Sequence, residues 1–439
     1  MSAVADQRLM ESRNATQVNG FFLTLLSVYL LFVFIRPQDY PALGIEYPIL
    51  PTIEVLVFLS WLACRPKLSS PQHLCMFVLM LWIPFSLLVT GSELLVDTTQ
   101  YFLFSIFLTF MFVATASREQ ATLDRLGFVL AFSTTLIATH CIDQYFFGNG
   151  IGWSGQAWLE RKEAFGVLHQ VRYVGIFADP NDTGMILVQS IPFLFLYRAQ
   201  AKQTIARVAY SGAIALHFLA IYLTNSRGTY LALAASLATW LALKYNMTRA
   251  LIAGAILGPF ILILGPARLS VSGDQSTQDR IDAWYQGFQL FSWKPIFGIG
   301  MNHFKDHHHK AAHNSWVQLL SETGLLGYVS WSALLFSSLY LAYALQQPNR
   351  WGGTAAEADS EEYVLRAKTI LISLVGCMTA MFFLSRAYHL PAYFLCAMVA
   401  GQYMNYRDSV QPITATLFSV LIGGVLPILT LYIVVRMHT

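Results

Sequence analysis

Four arginines and a histidine stand in this chain where solubility does not explain them. Arg172 lies in VRYVGIFADPND, Arg227 in TNSRGTY, Arg280 at the head of RIDAWYQGFQL, and Arg386 in LSRAYHLPAYF. Each falls in or beside a connector between apolar segments. The planar fork of arginine binds phosphate oxygens in pairs and keeps its charge at any physiological pH. Two or three converging arginines can hold a diphosphate and neutralise charge as that group leaves, with no metal required. His313 stands just before Asn314 and Ser315, where an apolar run begins that passes Leu320 and Gly327. A helix N-terminus lowers the pKa of an imidazole, and a neutral imidazole takes a proton from an attacking hydroxyl. Plainer readings stand beside these. The arginines suit lipid-phosphate anchors or structural salt bridges, and the histidine suits a backbone-bonded helix start.

Other polar groups carry less. His303, His307, His308 and His309 precede His313, and two of the spacings are i,i+4, which suits a metal on a helix face. No HExxH accompanies them and Asp306 is the one nearby acid, so the segment reads as a solvated polar loop and no metal site is expected. Glu322 stands nine residues beyond His313, too far along a helix to orient it. Asp179-Pro180-Asn181-Asp182 reads as a helix cap, and Lys294 to Gly300, KPIFGIG, as a tight turn. Cys64, Cys75, Cys141, Cys377 and Cys396 are scattered in or beside apolar runs and read as small buried hydrophobes.

What must position these residues is a membrane protein. Of the 439 residues, 56% are hydrophobic and only 12% charged, about half the charged share of a soluble domain. Apolar segments lie at 18–35, 50–64, 73–90, 98–116, 126–147, 181–197, 206–224, 229–244, 249–266, 314–345, 367–384, 389–405 and 412–436. An all-α polytopic protein with about 12 or 13 spans follows, in a single membrane-embedded domain over 1–439. The apolar runs are continuous, which argues against a β-barrel. The net charge of +3 is small and dispersed, so no nucleic-acid partner is expected. The polar N-terminus does not read as a cleaved signal peptide.

Basic connectors at Arg65–Lys67, Arg198–Arg207 and Lys244–Arg249 belong inside by the positive-inside rule. This places 148–180, the short 225–228 corner and 267–312 outside, and 346–368 inside. An odd number of segments then puts the last one's end outside, although Arg436 and His438 would favour the inside. Within 267–312, Asp279–Leu290 is predicted to be an amphipathic surface helix, with Ile281, Trp284 and Phe288 on its apolar face.

The motifs SRG at Ser226–Gly228, an arginine followed by PIFGIG over Arg280–Gly300, and HNSWVQLLSETGLLG over His313–Gly327 together resemble the O-antigen ligase and polymerase superfamily. VRYVGIFADPND is similar to its upstream motif. The resemblance implies a C-type glycosyltransferase in the bacterial inner membrane, multi-pass, with a periplasmic active site and no cofactor. It implies a glycan donor on undecaprenyl diphosphate, membrane lipids as surroundings and, for a ligase, a lipid A–core acceptor. Arg227 and Arg280 would hold the diphosphate with help from Arg172, and His313 would activate the acceptor. Asn314 and Arg386 are further candidates. Family members usually have an even number of spans with both ends inside, from which the odd count here departs. A polymerase using a second lipid-linked repeat as acceptor is the nearest alternative. A protein O-oligosaccharyltransferase is another. A transporter of lipid-linked sugar fits less well, because the charged groups lie at segment ends rather than midway.

Overall fold

Among the described residues, five helices begin where a short polar side chain takes up a free amide of the first turn. Asn19 accepts from the Phe21 amide and opens α1 (Gly20–Ile35); Ser70 accepts from His73 and opens α3 (Pro71–Thr90), after α2 (Ile49–Leu62). α4 (Leu95–Ala116) passes through a π-helical stretch at Phe102–Leu108 and is followed by α5 (Gln120–Phe146). A small antiparallel hairpin, β1 (Leu159–Glu163) with β2 (Gly166–Gln170), interrupts the helices. Then come α6 (Pro180–Gln200), α7 (Thr204–Thr224), α8 (Arg227–Lys244), α9 (Gly273–Trp293) and the one-turn α10 (Phe304–His307). α11 (Ser315–Ala344), α12 (Glu361–Met381), α13 (Leu390–Tyr406) and α14 (Thr414–His438) complete the chain.

The structure is a computed structural model describing residues 19–45, 47–64, 68–163, 166–245, 248, 273–346, 361–406 and 414–438. The apolar segment expected at 249–266 lies outside the described residues, as do the Arg65–Lys67 connector, the N-terminal 1–18 and most of 346–368. Every other apolar segment is a helix. Among the described residues, seven helices are long and apolar enough to cross a membrane, and three shorter ones are apolar. α6 and α8 are long enough but more polar at their ends, where Asp182, Arg198, Arg227 and Lys244 stand. The protein is an all-α polytopic membrane protein.

In a bilayer, close approach and polar contacts draw helices together more than hydrophobicity does. Gly184 of α6 shows this: a Cβ there would come within 2.0 Å of Thr229 Oγ1 on α8. Above this contact the Ser226 hydroxyl donates to Asn181 Oδ1, so the starts of α6 and α8 are fixed side by side. At the opposite end of the bundle Arg366 of α12 grips Asp124 of α5 at 2.8 and 2.7 Å.

α11 is broken at Gly324, whose backbone (φ 65°, ψ −167°) only glycine adopts readily. The Pro295–Gly300 segment fills the break. The Ile299 and Gly300 amides donate to the Ser321 and Glu322 carbonyls at 3.0 and 2.9 Å, and the Leu325 amide donates to the Pro295 carbonyl at 2.9 Å. Trp82 on α3 donates to the Thr323 carbonyl at 2.8 Å. The glycine-rich turn therefore replaces helical hydrogen bonds and braces the helix that begins beside His313.

One end of the bundle collects the connectors expected outside. Tyr173 reaches the Ile35 carbonyl, Tyr101 the Tyr388 carbonyl, and Asn225 Nδ2 the His169 carbonyl. α9 lies across this end as the predicted surface helix, extended to Trp293. Ile281 and Trp284 are buried, with Phe288 packed partly buried beside them, and Asp282 and Tyr285 are exposed. α14 runs up to the same end. Its Gly424 carbonyl accepts from Tyr328, and its Tyr432 ring meets Phe288 of α9 edge-on at 5.8 Å.

Candidate functional site

His313 occupies a left-handed backbone position, φ 49°, uncommon for a side chain with a Cβ. Its neighbours hold it there. The His313 amide donates to Ser385 Oγ at 2.8 Å. Asn314 caps α11, its Oδ1 accepting from the Trp316 and Val317 amides, while its Nδ2 donates to the Phe382 carbonyl at 2.8 Å. Ser315 donates to the Leu384 carbonyl and accepts from the Arg386 amide. The 382–389 connector is thus sewn to the residues that carry the imidazole. Burial first, and then the positive charge of Arg280, hold the His313 pKa below the ordinary imidazole value. The ring is therefore neutral near pH 7, as a proton acceptor must be.

Arg280 sits on α9 with its guanidinium 5.9 Å from the centre of the Phe383 ring. The base of the Phe383 side chain meets Gly228, where a Cβ would come within 3.1 Å of Phe383 Cβ. Gly228 follows Arg227, so Phe383 touches the segment that carries Arg227 as well as lying under Arg280. Burial, then the like charges of Arg227 and Arg161, depress the Arg280 pKa, and Asp179 opposes them. The guanidinium stays charged regardless. What the shift shows is like charge gathered in a partly buried place, which an added anion would relieve.

The expected residues divide. Arg227, Arg280 and His313 come together, with Asn314 as the cap that fixes the imidazole. Arg172 commits its guanidinium to the Ala157 and Ala178 carbonyls at 2.8 and 3.1 Å, tying the hairpin loop to the start of α6. Arg386 makes a forked ion pair with Asp182, a residue 1% exposed at its side chain. Of the histidines, His303 joins Ser92 Oγ and Asp306 Oδ2, both at 2.6 Å, His308 meets the Lys310 backbone, and the His307 ring lies edge-on to Trp293. No group of three or more His, Cys, Asp or Glu among the described residues is placed to hold a metal. Glu322 accepts from the Phe304 amide at 3.1 Å and so anchors the loop rather than the imidazole.

Sequence reasoning missed five contributors. Arg161 stands on the exposed hairpin and reaches Arg280 electrostatically. Its signal was an alternating, charged LERKE strand inside a loop. The sequence shows Asp179 only as a cap. It is that cap, accepting from the Asn181 amide at 2.8 Å, and it also acts on Arg280, His313 and Arg386. Phe383 and Ser385 gave no sequence signal. Lys310 forms an ion pair with Asp279, joining the loop before His313 to the residue before Arg280.

Residues 212–332 match the family model described as O-antigen ligase. That range holds Arg227, Arg280, His313 and Asn314; Arg161, Arg172, Asp179 and Arg386 lie outside it. No curated protein matches the chain at a significant level. The match spans residues 212–332 of the 439, and the chain around it carries helices long and apolar enough to cross a membrane.

Proposed function

We propose, taking an O-antigen ligase-type domain over residues 212–332 as the premise, that the protein is an O-antigen ligase of the bacterial inner membrane. It transfers a glycan from undecaprenyl diphosphate to a sugar hydroxyl of the lipid A core on the periplasmic face. The observation that carries this reading is the gathering of Arg227, Arg280 and Arg161 beside a neutral His313 at one end of the bundle. Like charges held together in a partly desolvated place repel strongly, and a bound diphosphate turns that repulsion into attraction.

Arg227 and Arg280 hold the diphosphate. The acceptor hydroxyl attacks the anomeric carbon while its proton passes to a ring nitrogen of His313. The bond from the anomeric carbon to phosphate oxygen breaks, and the electron pair leaves on undecaprenyl diphosphate, where the arginines stabilise it. Diphosphate leaves without protonation, so the paired carboxylates of a glycosidase are not needed. One displacement inverts the anomeric centre, and the arginines supply the countercharge that a cation would otherwise give.

The test is transfer by purified full-length protein, given undecaprenyl-diphosphate-linked glycan and lipid A–core in chelator. The expected product is glycan on the core with inverted configuration. Arg280→Ala lowers kcat/KM by about 100-fold or more, the scale of losing one transition-state donor. Arg280→Lys restores only part, because an ammonium cannot make the forked contact. Longer lipid-linked chains formed without the core would identify a polymerase, and glycan on protein a protein O-oligosaccharyltransferase. A retained configuration, or a strict need for a divalent cation, overturns the mechanism.

A further inference from the structure

We infer that Asp179 is a positioning residue for His313: its carboxylate faces the imidazole and balances the positive charge that His313 acquires on taking the acceptor's proton. The inference rests on the transfer reaction proposed above and adds a residue outside the matched range.

The geometry begins at the α6 N-terminus. Asp179 Oδ1 accepts from both the amide and the side-chain Nδ2 of Asn181 at 2.8 Å, and among the described residues no hydrogen bond reaches Oδ2. The next residues lock this turn into the site from two sides. Asn181 takes the Ser226 hydroxyl beside Arg227, and Asp182 takes the Arg386 fork. The Arg386 amide then reaches Ser315 Oγ at 2.9 Å, and Ser385 Oγ takes the His313 amide at 2.8 Å. A chain of hydrogen bonds therefore runs from the turn that Asp179 opens to the backbone of His313. Arg172, bonded to the Ala178 carbonyl, holds the residue before Asp179 in place.

Among the described residues, the charges that act on His313 are Arg280 from α9, Lys310 from its own loop, Arg386 from the 382–389 connector, and Asp179 from the cap of α6. Three are cations and Asp179 is the acid. They suit a resting neutral ring but work against the imidazolium formed during transfer. The reaction moves one proton from the acceptor oxygen to His313 as that oxygen bonds to the anomeric carbon and diphosphate departs with its electron pair. Asp179 offsets the surrounding cations at that moment. The helix cap gives the carboxylate a fixed place, so no reorganisation is needed when the charge appears.

Asp179→Asn tests this cleanly, because asparagine caps a helix as well as aspartate does and only the charge is lost. Asp179→Glu keeps the charge. The first readout needs no substrate: carbethoxylation of His313 against pH, resolved by peptide mass spectrometry, reports the neutral ring. In Asp179→Asn its midpoint moves to lower pH by about one unit, the scale of losing one nearby opposite charge. In Asp179→Glu it moves back towards wild type. In the transfer assay Asp179→Asn loses about 10-fold or more in kcat. Its donor KM is unchanged or lower, since a charge that repels diphosphate has gone. An unmoved midpoint overturns the inference, whether transfer is kept or lost, since loss alone would mark a structural role. If wild type transfers nothing, the ligase reading fails, while the carbethoxylation midpoint still decides whether Asp179 faces His313.

Discussion

Among the site's residues, Arg386 is set apart by a forked ion pair with a buried acid on another helix. The acid is Asp182, whose side chain is 1% exposed. Removing one member of a buried ion pair strands the other, at a cost of about 3–5 kcal/mol. Arg386→Ala is therefore expected to lower thermal stability by that order, and Asp182→Asn added to it to recover much of the loss. Thermal unfolding in detergent checks both. An Arg386→Ala protein that unfolds like wild type yet transfers nothing would instead place Arg386 on the substrate. This pairing was not legible in the sequence. The chain shows four arginines at connector positions, ranked only by the family resemblance, and Asp182 lies 204 residues from Arg386, beyond any local pattern. His313 was legible because the His-Asn-Ser start of an apolar helix is local, and Arg280 because it opens an amphipathic one. Asp179 was half legible: the cap shows in the sequence, and the cations that it acts on, Arg280 and Arg386, come from two distant elements.

The elements repeat this contrast between local and distant information. Caps at Asn19, Ser70, Asp179, Ser226 and Asn314 follow from side chains adjacent to the helices they start. The apolar face of α9 follows from helical periodicity. The break in α11 does not, since SETGLLGYV reads as continuous helix that tolerates a glycine. The cause lies in another segment, where Pro295–Gly300 supplies the hydrogen bonds that α11 gives up. Gly324→Ala tests that account. Alanine there carries about 1–3 kcal/mol of backbone strain, and its Cβ would also stand 2.1 Å from the Ile296 carbonyl oxygen. The expected result is a loss of stability larger than strain alone would give, together with loss of transfer as the loop leading to His313 shifts. Gly20→Ala is the control: it starts α1 with nothing near the added Cβ and should leave the thermal transition in place. If both variants behave alike, the turn does not brace the helix.

At the scale of the whole molecule, the placement of α14 gives the most discriminating prediction. Counting charges alone favours putting the Arg436 end with the basic connectors, and the family resemblance implies both ends inside. The packing puts it opposite them. α1 begins at the end away from the site and α14 finishes beside α9, with the Arg436 guanidinium over the Tyr432 ring at 5.7 Å. One arginine at a helix end, extended along an aromatic surface, exerts a weak topological pull. The denser basic run Arg198–Lys202–Arg207 lies at the other end, and orientation follows the summed bias of short connectors rather than any one residue. Single cysteines at Glu160 on the hairpin, Met437 on α14 and Lys202 between α6 and α7 decide the matter. They are introduced after Cys64 and Cys75 are replaced, since Cys141, Cys377 and Cys396 are buried. A membrane-impermeant maleimide applied to intact cells with a permeabilised outer membrane should label Glu160→Cys and Met437→Cys alike and spare Lys202→Cys. Labelling of Met437→Cys only after the inner membrane is opened would separate α14 from the site end and return the bundle to an even count. Labelling of Lys202→Cys first would invert the molecule and remove the site from the face on which a periplasmic ligase must work.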